Sequence, residues 1–145
     1  MSRRVTEIPQ TKQDVPIEVR QLRVAAYCRV STHHAEQHHS LEAQIAHYTN
    51  YTKRNPNWEF VAVYSDIASG VRTANRPGYR QLMRNCAKGK VDLVLVKSLS
   101  RFGRDALETI RQVRKLKRMN IGIYIEIGGL NTLDISDSII DQLAA

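Results

Sequence analysis

Four short runs of strand-forming residues punctuate the chain, at 22–30 (LRVAAYCRV), 58–64 (WEFVAVY), 91–96 (VDLVLV) and 121–127 (IGIYIEI). Each is too short for a helix of ordinary length and carries apolar residues on both faces, as a strand buried in a parallel sheet does. Between them the apolar positions recur at helical spacing. Leu41, Ile45, Tyr48 and Tyr51 or Thr52 form one such face behind Ser40, a candidate cap with Glu42 in the first turn, and Asn55-Pro56-Asn57 ends it. Residues 65–76 show no period and read as a loop. A second helix opens at Pro77, presents Tyr79, Leu82, Met83 and Cys86, and stops at Gly89. A third, from Asp105 to about Met119, turns Leu107, Ile110, Val113 and Leu116 or Met119 inward. Gly128 and Gly129 make a turn, and a last helix starts at Asp134 or Ser136 and runs through Ile139, Ile140 and Leu143.

The order β-α-β-loop-α-β-α-β-α, with connections long enough for parallel crossovers, predicts an α/β fold. The expected form is an open, mostly parallel sheet flanked by helices on both sides, in three layers. Residues 1–21 lack any sustained period and read as a loosely attached arm, so the domain is expected to span 22–145. The last apolar face is still running at Ala145, which points to a core domain whose final helix continues.

A length of 145 residues with 42% hydrophobic side chains suits one domain with one substantial core. Charge sharpens the picture. There are 22 Lys and Arg against 14 Asp and Glu, a net charge of +8. From Arg72 to Arg118 only Asp92, Asp105 and Glu108 oppose 14 basic residues, a local net of +11. A solvated face ordinarily mixes both signs, so this stretch reads as a surface for a phosphate backbone. The scattered aromatics favour duplex over stacked single strands. Cys28 and Cys86 have no repeated spacing, which excludes a disulfide scaffold and fits a reducing compartment. No apolar stretch follows the basic start or approaches membrane-spanning length, so a cytoplasmic protein without membrane contact is expected.

In an open parallel sheet, ligands sit beyond the C-terminal strand ends. There the chain carries Arg29, Ser31 and Thr32, then Asp66, Ser69 and Gly70, then Lys97, Ser98, Ser100, Arg101 and Arg104. A serine with several guanidiniums fits phosphoryl transfer, because the fork of arginine matches phosphate oxygens and the charge that grows in the transition state. Taken alone, Ser31 reads as an ordinary loop or cap hydroxyl; Arg29 two residues before it and the cluster from Ser98 to Arg104 bring the two readings level. No P-loop or dinucleotide fingerprint occurs. His33, His34, His38 and His39 form a cluster without cysteine and with only Glu36 nearby, so no dedicated metal site is expected.

The ordered set Tyr27-Cys28-Arg29-Val30-Ser31-Thr32, Gln37, Ser40-Leu41-Glu42-Ala43-Gln44, Asp66-Ile67-Ala68-Ser69-Gly70, Arg76-Pro77-Gly78 and Lys97-Ser98-Leu99-Ser100-Arg101-Phe102-Gly103-Arg104 resembles the catalytic domain of the serine recombinases, the resolvase/invertase family. The early arm and the Ser-Arg-Phe form of the last motif resemble its large members, the integrases of phages and integrative elements. The resemblance implies that Ser31 is a nucleophile forming a 5′-phosphoserine link, with Arg29, Arg101, Arg104 and Arg76 about the scissile phosphate and Gln44 in support. The rim and the basic segment supply Lys97, Ser98, Ser100, Arg72 and Arg80 as candidate DNA contacts. The resemblance further implies double-stranded DNA as partner, no metal or other cofactor, and a homodimer that pairs into a synaptic homotetramer in the full-length protein. The fragment alone is expected as a poorly active monomer or weak dimer. Many members have aspartate where this chain has Ser100, so an aspartate proton carrier is not implied. A small resolvase or invertase fragment, or a non-catalytic DNA-binding α/β module, are the alternatives.

Overall fold

The computed structural model describes residues 20–31, 36–68, 76–103 and 105–144. Its strands are β1 (Leu22–Ser31), β2 (Trp58–Ala68), β3 (Leu93–Val96), β4 (Gly122–Ile125) and β5 (Leu130–Asn131). The helices are α1 (Glu36–Lys53), α2 (Pro77–Ala87), α3 (Ala106–Arg118) and α4 (Asp137–Ala144), with 3₁₀ turns at Leu99–Arg101 and Thr132–Asp134. The sheet order is β2-β1-β3-β4-β5. The first four strands are parallel, and β5 returns antiparallel to β4. The α/β reading with an open, mostly parallel sheet is thus correct.

Alternation along β1 feeds two cores. Ala25 and Tyr27 join Val94, Val96, Ile123 and Ile125 under α2, α3 and α4, which contribute Leu82, Leu116 and Ile140. Val24, Ala26 and Cys28 join Leu93, Leu95 and Tyr48 of α1 on the other face. Successive strand residues point to opposite faces, so one apolar run supplies both.

Several boundaries differ from the sequence reading. Helix α1 begins at Glu36, so Ser40 lies inside it rather than capping it. Strand β2 runs on to Ala68, because its whole length pairs with β1 from Leu22↔Trp58 to Ser31↔Ala68. Strand β5 is too short to leave a periodic signal. Leu107 and Ile45 are exposed, whereas Thr109 and Tyr48 face inward. For α3 the reason is local: a Cβ on Gly103 would lie 2.2 Å from Thr109 Oγ1 and 2.7 Å from its backbone nitrogen, so the preceding loop seats directly on Thr109 and fixes the helix rotation. On α4 Ile140 and Ala144 are buried, whereas Ile139 and Leu143 are exposed. The expected arm, 1–21, falls outside the described residues except at its end. There Arg20 pairs with Asp92, and Gln21 Nε2 donates to the Pro56 carbonyl.

Candidate active site at the strand ends

The chain runs from β1 to β2 on one side, then crosses back over β1 to β3 on the other. The reversal makes the β1/β3 junction the switch point, where the two crossover connections diverge and leave a crevice. Strand β1 also outruns its neighbour. Its pairing with β3 covers Val24↔Leu93 to Ala26↔Leu95, whereas its pairing with β2 continues to Ser31↔Ala68. The last residues of β1, Arg29 and Ser31 among them, therefore stand beyond the edge of β3.

An open cleft of ≈ 940 Å³ lies there, lined by Tyr27, Cys28, Arg29 and Val30 of β1, Ala43, Gln44, His47 and Tyr48 of α1, and Lys97, Glu126 and Ile127 after β3 and β4. Three of the residues singled out from sequence, Arg29, Gln44 and Lys97, thus meet in one cleft. At its α1 wall His47 Nε2 lies 2.5 Å from Glu126 Oε2, a contact the sequence reading missed because its partners are 79 positions apart. Cys28 is no nucleophile here: burial pushes its thiol up to about 12, leaving it protonated.

The loop after β3 carries the last motif. Lys97 and Ser100 are exposed, and the Ser98 and Ser100 hydroxyls lie 3.0 Å apart. Arg101 closes the 3₁₀ turn, and Phe102 behind it is fully buried. Ring centroids of Phe102, Tyr27 and Tyr79 lie 5.2 to 6.4 Å apart in edge-to-face arrangement. Gly103 completes the seat on α3. The middle of the motif is therefore an anchor between the positions of Arg101 and Arg104. Arg80 is exposed on α2. Arg104 and Arg72 lie outside the described residues, as do His33 and His34.

Asp66, expected at the rim, and Arg76, expected about the scissile phosphate, both bond to groups inside the protein. Asp66 is buried and accepts from the Tyr27 hydroxyl at 2.6 Å and from the Gly78 and Tyr79 amides at 2.7 and 2.9 Å. It caps α2, whose own cap position holds Arg76 with no side-chain hydrogen bond to the helix. Arg76 is 5% exposed. Its Nη2 donates to the Phe102 carbonyl and, at 3.2 Å, to the Tyr27 hydroxyl; its Nη1 donates to Glu108 Oε1 at 3.2 Å. Its guanidinium carbon sits 3.9 Å from the Tyr79 ring centroid. Burial is the main cause that raises the Tyr27 and Tyr79 hydroxyl pKa values far above the ordinary phenol, so both stay neutral. The motif Arg76-Pro77-Gly78 thus ties to Tyr27 and Asp66: a Cβ on Gly78 would lie 2.2 Å from the Ser65 carbonyl oxygen. Sequence had offered only the recurrence of these residues within motifs, with no sign that they touch one another.

The sequence profile of the family described as Resolvase, N terminal domain, matches residues 24–145. A resolvase/recombinase of Pseudomonas putida is 32% identical over 111 residues, covering 77% of this chain and 55% of that protein. The transposon Tn2501 resolvase of Escherichia coli is 28% identical over 111 residues, 75% of this chain and 53% of that one. The chain spans about half the length of these curated relatives. Among solved structures, a resolvase family site-specific recombinase from Streptococcus pneumoniae is similar with a TM-score of 0.68 and 26% identity over 86% of each chain. The N-terminal catalytic domain of TP901-1 integrase has the same fold, with a TM-score of 0.66 over 84% of this chain and 90% of that one at 24% identity.

Proposed function

Since this chain belongs to the resolvase family as a serine recombinase catalytic domain, we propose that it cuts and rejoins double-stranded DNA through Ser31. The observation that supports the reading is the extension of β1 past β3 at the switch point, beside a cleft that Arg29 and Lys97 line together. Ser31 Oγ attacks the phosphorus, forming an O–P bond to the 5′-phosphate as the bond to the 3′-oxygen breaks. The serine proton is given up and the departing 3′-oxygen gains one. Rejoining is the reverse attack by a 3′-hydroxyl, so the phosphodiester energy is kept in the serine ester.

Arg29, Arg101 and Arg104 stabilise the extra charge on the phosphorane oxygens, and a preorganised donor of this kind contributes about 10²- to 10³-fold in rate. Lys97 and Arg80 hold flanking backbone, and Gln44 supports the cleft wall beside Arg29. In the full-length protein a dimer binds each site and two dimers pair. Among the described residues no helix is long and apolar enough to cross a membrane.

The test is incubation of the full-length protein, with EDTA present, on nicked suicide duplexes of its site. A serine-linked 5′-phosphate at Ser31 by mass spectrometry, absent from Ser31→Ala while that variant still binds DNA, is the expected result. Cleavage that requires Mg²⁺ and leaves a free 5′-phosphate would overturn the reading.

A further inference from the structure

Arg76 joins four parts of the fold through one side chain: Tyr27 of β1, the start of α2 that it precedes, the Phe102 carbonyl, and Glu108 of α3. We propose that Glu108 is a positioning residue for strand cleavage: acting through Arg76, it fixes the Phe102 carbonyl and with it the loop bearing Arg101 and Arg104. This rests on the recombinase reading above.

The geometry leaves Arg76 little other purpose. It is buried among Tyr27, Tyr79 and Phe102. Its Nη2 is spent on the Phe102 carbonyl and the Tyr27 hydroxyl, and its Nε approaches that same hydroxyl at 3.4 Å. Glu108 is its ion-pair partner among the described residues. Burying a guanidinium is tolerable only where its charge and donors are met. Without the carboxylate, the fork has reason to turn toward solvent and release the carbonyl.

Glu108 is itself rigidly presented. Its backbone amide donates to Asp105 Oδ1 at 2.8 Å, in the first turn of α3, and the neighbouring Thr109 supports Gly103. Glu108, Arg76, Phe102 and Gly103 therefore form one clamp on the segment between the two motif arginines. A displacement of about 1 Å in a catalytic group costs on the order of 10²-fold in rate, and a clamp on the backbone is where such a displacement is prevented.

Single-turnover formation of the Ser31 adduct in the full-length protein, set beside DNA affinity and amide exchange at Phe102 and Gly103, tests this. Glu108→Gln is expected to slow adduct formation by at least about 10-fold and to hasten exchange at the two amides, with affinity for the duplex unchanged. Glu108→Asp should recover part of the rate, and the double variant Glu108→Gln with Arg76→Lys should lose less than the product of the two single losses, because the two side chains share a contact. A thermal melt separates loss of fold from loss of position, and if Glu108→Gln does not fold, Glu108→Asp must show the intermediate loss. Adduct formation as fast as or faster than in the unmodified protein, unchanged exchange, or a rate loss mirrored in affinity would overturn the proposal; faster cleavage would mean that Glu108 restrains Arg76. If the unmodified protein forms no Ser31 adduct, the recombinase reading itself fails and this role with it. If the adduct forms and Glu108→Gln changes nothing, the positioning role alone is wrong.

Discussion

A guanidinium 5% exposed, stacked 3.9 Å from the centroid of a tyrosine ring, is held by electrostatics that water would weaken. A desolvated cation–π contact contributes about 2 kcal/mol, and the Glu108 carboxylate supplies the opposite charge. Tyr79 is needed here for its ring. Its hydroxyl is buried without a hydrogen-bond partner among the described residues, and a buried unmatched donor costs about 1–3 kcal/mol. Tyr79→Phe keeps the ring and removes the unmatched group. Urea unfolding should therefore find this variant as stable as the parent or up to about 1 kcal/mol more stable; a loss of stability would reveal a partner for that hydroxyl.

Helix α2 depends on a cap brought from another element. Three donors, the Tyr27 hydroxyl and the Gly78 and Tyr79 amides, converge on the two oxygens of Asp66. Asparagine offers one oxygen and one amine, so either orientation sets a donor against a donor. Asp66→Asn should cost about 2–3 kcal/mol in chemical denaturation and loosen the first turn of α2 in amide exchange. At the opposite ends of the strands Asp92 does the comparable work for β1. It accepts from Arg20, from the Arg23 side chain and from the Arg23 amide. Burial alone would raise its pKa, but these hydrogen bonds outweigh it and hold the carboxyl well below the ordinary value. A carboxylate with a depressed folded pKa stabilises the fold fully above its unfolded value near ~3.9, and that contribution is lost as pH falls toward the folded value. Asp92→Asn should thus be less stable than the parent at pH 7, and the gap should close as pH drops below about 4. Urea midpoints measured across that range check the sign; a gap that widened in acid would contradict it.

Seen across the whole molecule, the +8 charge is unevenly available. Asp92 binds Arg20 and Arg23, Glu108 binds Arg76, and Asp137 and Asp141 draw Arg114 and Lys117 toward α4. Arg80, Arg84 and Lys88 on and just past α2, Lys97 beyond β3, and Arg111, Lys115 and Arg118 on α3 remain exposed. Such a surface attracts any duplex through counterion release. If it neutralises about three phosphates, affinity for non-specific DNA should fall on the order of 40-fold between 50 and 200 mM salt. Titration of a labelled random duplex at several salt concentrations measures the slope. A flat dependence would show that the basic helices are only a solvated exterior.

Period and run length along the chain were sufficient for the α/β class, the four parallel strands and the turns at Gly89 and Gly128-Gly129, which adopt positive φ. These are local consequences of side-chain alternation and of backbone conformations that favour glycine. The motif set likewise located the rim, since residues just after parallel strands must share one edge of the sheet. Contacts between distant positions were beyond local pattern. Nothing in the spacing of Asp66 or Arg76 distinguishes a carboxylate capping a helix from one facing solvent, or a guanidinium buried in an aromatic box from one awaiting a phosphate. That division is made by packing: once Phe102 and Tyr79 close over Tyr27, a charged group beside them must find its partner inside, and Arg76, Asp66 and Glu108 do.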